Sequence, residues 1–241
     1  MTAALLVILQ VTVAVAVTPL LLGVMRQVRS RLEGRAGAGV LQPYRDTVKL
    51  LRKQPLRAAG SSVVLVGAPI VLLVSSLMVV ALVPLVTTAS LVTIPSDLFV
   101  VVSLLLIGTV ALAVLGLDGG TAFGGMGSSR HMMIAALVEP TVLMSVYALS
   151  VPVGSSTLST IVAARGADAA RVVTPAGLLA VVALVVVVLA ETGRLPVDNP
   201  STHLELTMVH EAMILESAGR DLAWLEVGSW LRLTALLGLV V

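Results

Sequence analysis

Residues 63–86, VVLVGAPIVLLVSSLMVVALVPLV, run without a single charged side chain. A helix rises about 1.5 Å per residue, so this run is long enough to cross the roughly 30 Å hydrocarbon layer of a bilayer. Working outward from it, five further apolar segments meet or approach that length: 3–25, 97–117, 132–154, 176–190 and 222–241. Pro19, Pro69, Pro84 and Pro152 lie within or near these runs. Membrane helices tolerate proline because neighbours re-satisfy the backbone groups it frees.

Composition agrees with that reading. Hydrophobic residues make up 58% of the 241 and charged residues only 12%, with a mean hydropathy of +1.08; a soluble domain carries about 25% charged residues. The expected fold is an all-α integral membrane protein with about six transmembrane helices, one amphipathic interfacial helix, and a cytoplasmic loop and helix. No polar stretch is long enough for a separate soluble domain, so residues 1–241 read as one transmembrane domain. The first 25 residues resemble a signal peptide only superficially. No charge precedes the apolar run, the run exceeds the usual core of 7 to 15 residues, and Thr18-Pro19-Leu20 offers no small-residue cleavage site.

The basic residues set an orientation. Segments 26–62, 118–131 and 191–221 hold twelve of the fifteen Lys and Arg; the intervening loops hold Arg165 and Arg171, and Arg232 falls inside a span. The positive-inside rule then puts those three segments in the cytoplasm and the N-terminus outside. The last apolar segment reaches Val241 with no polar flank, which is expected of an incomplete chain.

Two classes of function are set aside by composition. The chain has no Cys and three His, so it cannot ligate an iron–sulfur cluster by thiolates, and any electrons must travel through partners. The pI near 9.5 hints at nucleic acid, but the basic residues flank apolar spans and aromatic residues are only 2%, too few for base stacking.

Residues 41–57, LQPYRDTVKLLRKQPLR, are too charged to span. Leu41, Tyr44, Val48 and Leu51 recur at helical spacing, with Arg45, Lys49 and Arg52 on a neighbouring stripe and Asp46 between them. Such a helix lies in the interface, as a headgroup anchor or as a platform for a cytoplasmic subunit.

The densest chemistry is acidic. Glu191, Asp198, Glu205, Glu211, Glu216 and Asp221, six of the thirteen carboxylates, cluster after the fifth span, which looks short unless Glu191 belongs to it. Glu139 sits deep in the fourth span, in Leu137-Val138-Glu139-Pro140. An ionisable group at membrane depth is expensive, and its usual uses are proton or ion paths. Glu139 is therefore expected to keep its proton, to pair across helices, or to bond a carbonyl freed by Pro140. For Glu191 an equally open reading is a pair with Arg194, one turn later.

Residues 192–202, TGRLPVDNPST, read as a loop, and Thr202 opens a Thr-x-x-Glu capping box closed by Glu205. A helix is expected over 203–217. His203 and His210 are seven apart instead of four and Glu211 adjoins the second, so no zinc-protease spacing is present and no metal site is expected. Residues 118–131, DGGTAFGGMGSSRH, lack the order of a phosphate-binding loop and read as a flexible or closely packed loop.

Four stretches together resemble one family: LQPYRDTVKLLRK at 41–53, GMGSSRHMMIAALVEP at 125–140, ETGRLPVDNPSTHLELTMVHE at 191–211 and ESAG at 216–219. They are similar to the complex I subunit 1 family, in the branch found in group 4 membrane-bound nickel–iron hydrogenases and formate hydrogenlyase. That resemblance implies about eight spans in a longer chain. By it Glu139, Glu191, Glu205 and Glu216 match carboxylates of a charged path, and Glu211 joins them through the clustering noted above. Arg194, Asp198, His203 and His210 fall in or beside the loop that the resemblance turns toward cytoplasmic redox subunits. Tyr44, Arg45, Asp46 and Lys49 belong to the interfacial helix. After the second loop proline the chain reads Ser201-Thr202-His203, as in the hydrogenase branch, where quinone-reducing members continue with acidic residues.

The implied function is a membrane-anchor and coupling subunit in the prokaryotic inner (cytoplasmic) membrane. It links electron transfer in soluble partners to proton or sodium translocation and is not expected to be catalytic alone. It would carry no cofactor itself. Its partners would be hydrogenase-like large and small subunits and an iron–sulfur subunit, which hold the clusters and the nickel–iron centre, and antiporter-like membrane subunits. The alternatives are a quinone-site subunit of a complex I-like dehydrogenase, a structural anchor, or a stand-alone secondary transporter. Transporters often repeat a broken helix in each half; no repeat is visible here, and the carboxylates fall mostly in one half.

Overall fold

The computed structural model describes residues 2–57, 60–86, 98–167, 174–194, 197–198 and 208–240. Among these are nine α-helices: α1 (Thr2–Leu32), α2 (Gln42–Arg52), α3 (Val64–Leu82), α4 (Leu98–Asp118), α5 (Ala122–Ser150), α6 (Leu158–Ala167), α7 (Pro175–Glu191), α8 (His210–Ile214) and α9 (Gly219–Val240). Five of them, α1, α3, α4, α5 and α9, are long and apolar enough to cross a membrane, and α7 is a sixth, shorter apolar helix. Their outward faces are apolar: Ile8, Leu9, Leu137, Leu179 and Val182 are all more than half exposed. Side chains of this kind are stable outside only where the surroundings are lipid.

Several expected boundaries move, each for a local reason. α1 runs on to Leu32, where Arg29 and Glu33 pair at 2.8 Å one turn apart. The interfacial helix covers Gln42–Arg52 instead of 41–57, because Pro55 disfavours helical backbone at Gln54. Of residues 118–131, only Gly119–Thr121 form a loop; Asp118 ends α4 and 122–131 begin α5. Thr121 caps α5 by accepting from the Gly124 amide at 3.2 Å, and Gly124 and Gly127 lie on a contact face. A Cβ at Gly124 would stand 2.2 Å from the Gly116 carbonyl oxygen, and one at Gly127 would crowd Ala212 at 3.0 Å. Close helix contact, worth more than glycine's poor propensity costs, extends the fourth span by ten residues. The short helix α6 corresponds to none of the expected elements.

The expected helix over 203–217 shrinks to His210–Ile214 among the described residues. Met208 and Val209 are not helical, and the Thr202–Glu205 capping box lies outside the described residues. The first α8 amide, that of His210, is held by Asp198 Oδ2 at 3.0 Å.

α3 lies between α4 and α9, α5 packs on α4 and α7, and α1 covers α3 and α9. Val79, Leu105, Val138, Leu184, Leu231 and Leu236 meet in the buried centre. One end of the bundle gathers all three basic segments. There the Ser62 amide donates to Asp118 at 3.1 Å, Arg57 pairs with Asp221 at 3.4 Å, and Glu216 folds over Gly119. Gly219, at φ +58°, brings the start of α9 so close to the Gln54 carbonyl that a Cβ would stand 2.6 Å from its oxygen. At the other end Gln10 of α1 donates to the carbonyls of Val80 in α3 and of Val83 just after it, both at 2.8 Å.

Candidate functional site

α7 stops at Glu191, level with the middle of α4 and α9. The Val188, Leu189 and Ala190 carbonyls there accept from the amides of Thr192, Arg194 and Gly193, but the negative end of the helix dipole still lies inside the bundle, and the Glu191 carboxylate adds to it. Arg232, from the middle of α9, meets the Glu191 carboxylate. Its Nη2 donates to Glu191 Oε1 and to the Thr109 hydroxyl, and its Nη1 donates to the Leu105 carbonyl at 2.8 Å. The Thr109 hydroxyl itself bonds the Leu105 carbonyl at 3.0 Å and stands 3.4 Å from Glu191 Oε1. Both charged side chains are buried, 7% exposed for Arg232 and 4% for Glu191. Gly108 makes the room: a Cβ there would stand 2.7 Å from Arg232 Nη1. The partner of Glu191 is thus Arg232 on another helix and not Arg194, whose side chain sits beyond the end of α7.

Glu139 belongs to the same cluster. It lines a cavity of about 10 Å³ with Glu191, Arg232, Leu105 and Leu236, and it lies near the Thr109 side chain. Its Oε1 is buried without a hydrogen-bond partner among the described residues. On the other side of the Glu191–Arg232 pair a cleft of about 550 Å³ opens toward the end where the basic segments gather. His131, His210, Arg194, Asp198, Glu211 and Glu226 face it, with Leu22, Trp230 and Leu233 as apolar wall. Arg26 stacks over the Trp230 ring at 5.9 Å. His131 lies within electrostatic reach of both Glu191 and Arg232, and its Nε2 has no hydrogen-bond partner among the described residues. The ion pair is therefore a shared wall between a cleft at one end of the bundle and a carboxylate in its interior.

The other residues that the sequence singles out scatter around that wall. Glu211 is exposed on the rim of the cleft; Glu216 rests on Gly119 and does not line it. Asp198 is buried and ties the end of the loop to α8. His210 and Arg194 line the cleft. Burial, then the like charges of Arg26 and Arg29, hold the Arg194 guanidinium below its ordinary range. Glu205 and His203 lie outside the described residues. In α2 the Tyr44 hydroxyl donates to the Ala16 carbonyl of α1 and Asp46 accepts from Gln42 at 2.9 Å, while Arg45 and Lys49 are exposed. Leu41 and Val48 also face outward, so the apolar stripe of α2 is divided, Tyr44 inward and the leucine and valine outward.

Sequence reasoning missed Arg232, Thr109 and His131. Arg232 had a legible signal: an arginine in an otherwise apolar span demands a buried partner. His131 had the same kind of signal, as an ionisable residue in a spanning helix, whereas Thr109 had none, since threonine is common there.

A bundle of this kind, with carboxylates and a guanidinium in its interior beside a cleft at the basic end, is that of a multi-pass membrane protein with ionisable groups at depth. Residues 4–241 match the family model described as NADH dehydrogenase. The chain is 31% identical over 234 residues to hydrogenase-4 component C of Escherichia coli, covering 96% of this chain and 72% of that one. It is 37% identical over 154 residues to formate hydrogenlyase subunit 4 of Escherichia coli, covering 64% of this chain and 50% of the relative. In fold it matches a chain of the membrane-bound sulfane sulfur reductase, an archaeal respiratory membrane complex. That match has a TM-score of 0.86 at 21% identity and covers 99% of this chain and 77% of the other. The chain belongs to the complex I subunit 1-like NADH dehydrogenase family, on the branch of the hydrogenase and formate hydrogenlyase membrane subunits.

Proposed function

We propose that this chain is the membrane-embedded coupling subunit of a hydrogenase- or formate-hydrogenlyase-like complex, passing the effect of electron transfer in soluble partners to proton or sodium movement. One observation carries the reading: the Glu191–Arg232 pair borders both the cleft and the inner cavity that holds Glu139. Proton or ion transfer needs ionisable groups in relay from the surface inward. His210 and Glu211 at the cleft, Glu191 at its floor and Glu139 beyond form such a series, to which Glu205 and Glu216 are assigned by resemblance. Charge changes at the 192–202 loop act on it through short distances; two charges about 4 Å apart interact by about 4 kcal/mol at an effective dielectric near 20. Iron–sulfur clusters and the nickel–iron centre reside on partner subunits, and antiporter-like chains continue the path sideways. The basic end, with α2 and the cleft, faces the cytoplasm and the N-terminus lies outside.

The test is Glu139→Gln and Glu191→Gln in the intact complex, with hydrogen evolution and ion uptake into inverted vesicles measured together. Each variant is expected to lose ion uptake. Wild-type uptake in both overturns the reading.

One feature favours a second reading, a quinone-like ligand. The cleft falls in the size range of small-molecule sites and combines an apolar wall with few polar groups. Trp230→Ala would then weaken binding of a photoreactive quinone analogue to the purified complex; no labelling of this chain rules it out.

A further inference from the structure

Arg232 is asked to serve more than one carboxylate. It holds Glu191 through Nη2, yet its Nε is buried with no acceptor among the described residues. Glu139 Oε1 is likewise buried with no donor, and the two residues line the same small cavity. A buried donor on a permanent cation and a buried carboxyl oxygen, each unmatched and carried by residues that line one cavity, mark a contact that the present arrangement leaves unmade.

We propose that Arg232 is a positioning residue with two stations: on Glu191, as observed, and on Glu139 when Glu191 carries a proton. The proposal rests on the path reading above and adds its gate. Charge counting supports it. A guanidinium stays protonated under all ordinary conditions, so one cation faces two carboxyl groups, and the trio is neutral only when it holds one carboxylic proton. With the cation on Glu191 that proton sits on Glu139. In the exchange the O–H bond at Glu139 breaks, an O–H bond forms at Glu191, and the guanidinium turns from one carboxylate to the other with all its own protons. Net charge is zero before and after, which is the arrangement a low-dielectric interior penalises least. The neighbours permit the turn. Gly108, having no side chain, puts no Cβ against Nη1, Thr109 already accepts from Nη2, and Ser75 of α3 stands close to Gly108. His131 of α5 is the titratable group that faces the pair from the cleft side, with His210 of α8 behind it.

The decisive measurement is the structure of the intact complex carrying Glu191→Gln, whose neutral amide stands in for protonated Glu191. Arg232 is expected to leave residue 191 and hydrogen-bond Glu139. Arg232 still on residue 191, with Glu139 unmatched, overturns the two-station role. A second arm uses Arg232→Lys, which keeps the charge and loses the fork. Ions moved per electron are expected to fall about tenfold with electron transfer retained; an unchanged ratio overturns the gate. The two layers fail separately. Wild-type ion uptake in Glu139→Gln and Glu191→Gln removes the path itself, whereas loss in those variants beside a stationary Arg232 and an unaffected Arg232→Lys removes the gate alone.

Discussion

Two arginine–carboxylate pairs anchor α9, and they sit at opposite depths. Arg57–Asp221 closes the basic end at 3.4 Å with the arginine nearly half exposed, while Arg232–Glu191 lies in the bundle with both side chains almost fully covered. Water and salt reach the first through Arg57, although Asp221 is largely covered, so its contribution lies nearer the roughly 0–1 kcal/mol of exposed pairs than that of a buried one. The second has no solvent to fall back on. A buried pair is often no more stable than two well-packed hydrophobic residues, yet removing one partner strands the other. The shallow pair is explained by structure, and the deep pair calls for a function.

The sharpest way to break the comparison is at depth. Arg232→Leu alone or Glu191→Leu alone should destabilise the assembled protein by about 3–5 kcal/mol, read as lost accumulation in membranes and a lower Tm in detergent. The double variant should recover most of that stability while ion movement stays lost. A double variant no better than either single would mean that the two charges do not depend on each other.

Next in size is the intermediate case of Asp198, buried and bonded to the His210 amide. Asp198→Ala should cost about 1 kcal/mol and speed hydrogen exchange over 208–214, where α8 begins. Arg57→Ala should change stability by about 0–1 kcal/mol, with the difference shrinking as salt is raised. Smallest is Glu33, fully exposed, whose carboxyl lies below the ordinary range chiefly because of the Arg29 hydrogen bond, then through the charges of Arg35 and Arg29. A depressed carboxyl contributes above the unfolded range and loses its contribution as pH falls through the folded value. Because the group is exposed, Glu33→Gln should leave Tm unchanged within error at neutral and mildly acidic pH alike.

The spans were legible because lipid imposes one rule on every helix that crosses it, a run of apolar residues about as long as the hydrocarbon layer. The common placement of 26–62, 118–131 and 191–221 at one end was legible from their arginines and lysines for a similar reason. The glycines of 118–131 were misleading. Read locally they suggest a loop, yet in the bundle Gly124 and Gly127 let α5 approach α4 and α8. Glu191 and Glu139 stood out as acids in apolar runs, but the local rule of helical spacing pointed Glu191 to Arg194, and it points instead across the bundle to α9.

What the sequence by itself determined is where this protein lives and which residues are out of place there, since hydropathy and charge act on each segment independently of its neighbours. What only the tertiary structure decided is who answers whom. Arg232 lies 41 positions from Glu191 and 123 from Thr109 in the chain, and no periodicity links them. Their meeting follows from the packing of α4, α7 and α9, and packing depends on all the helices at once.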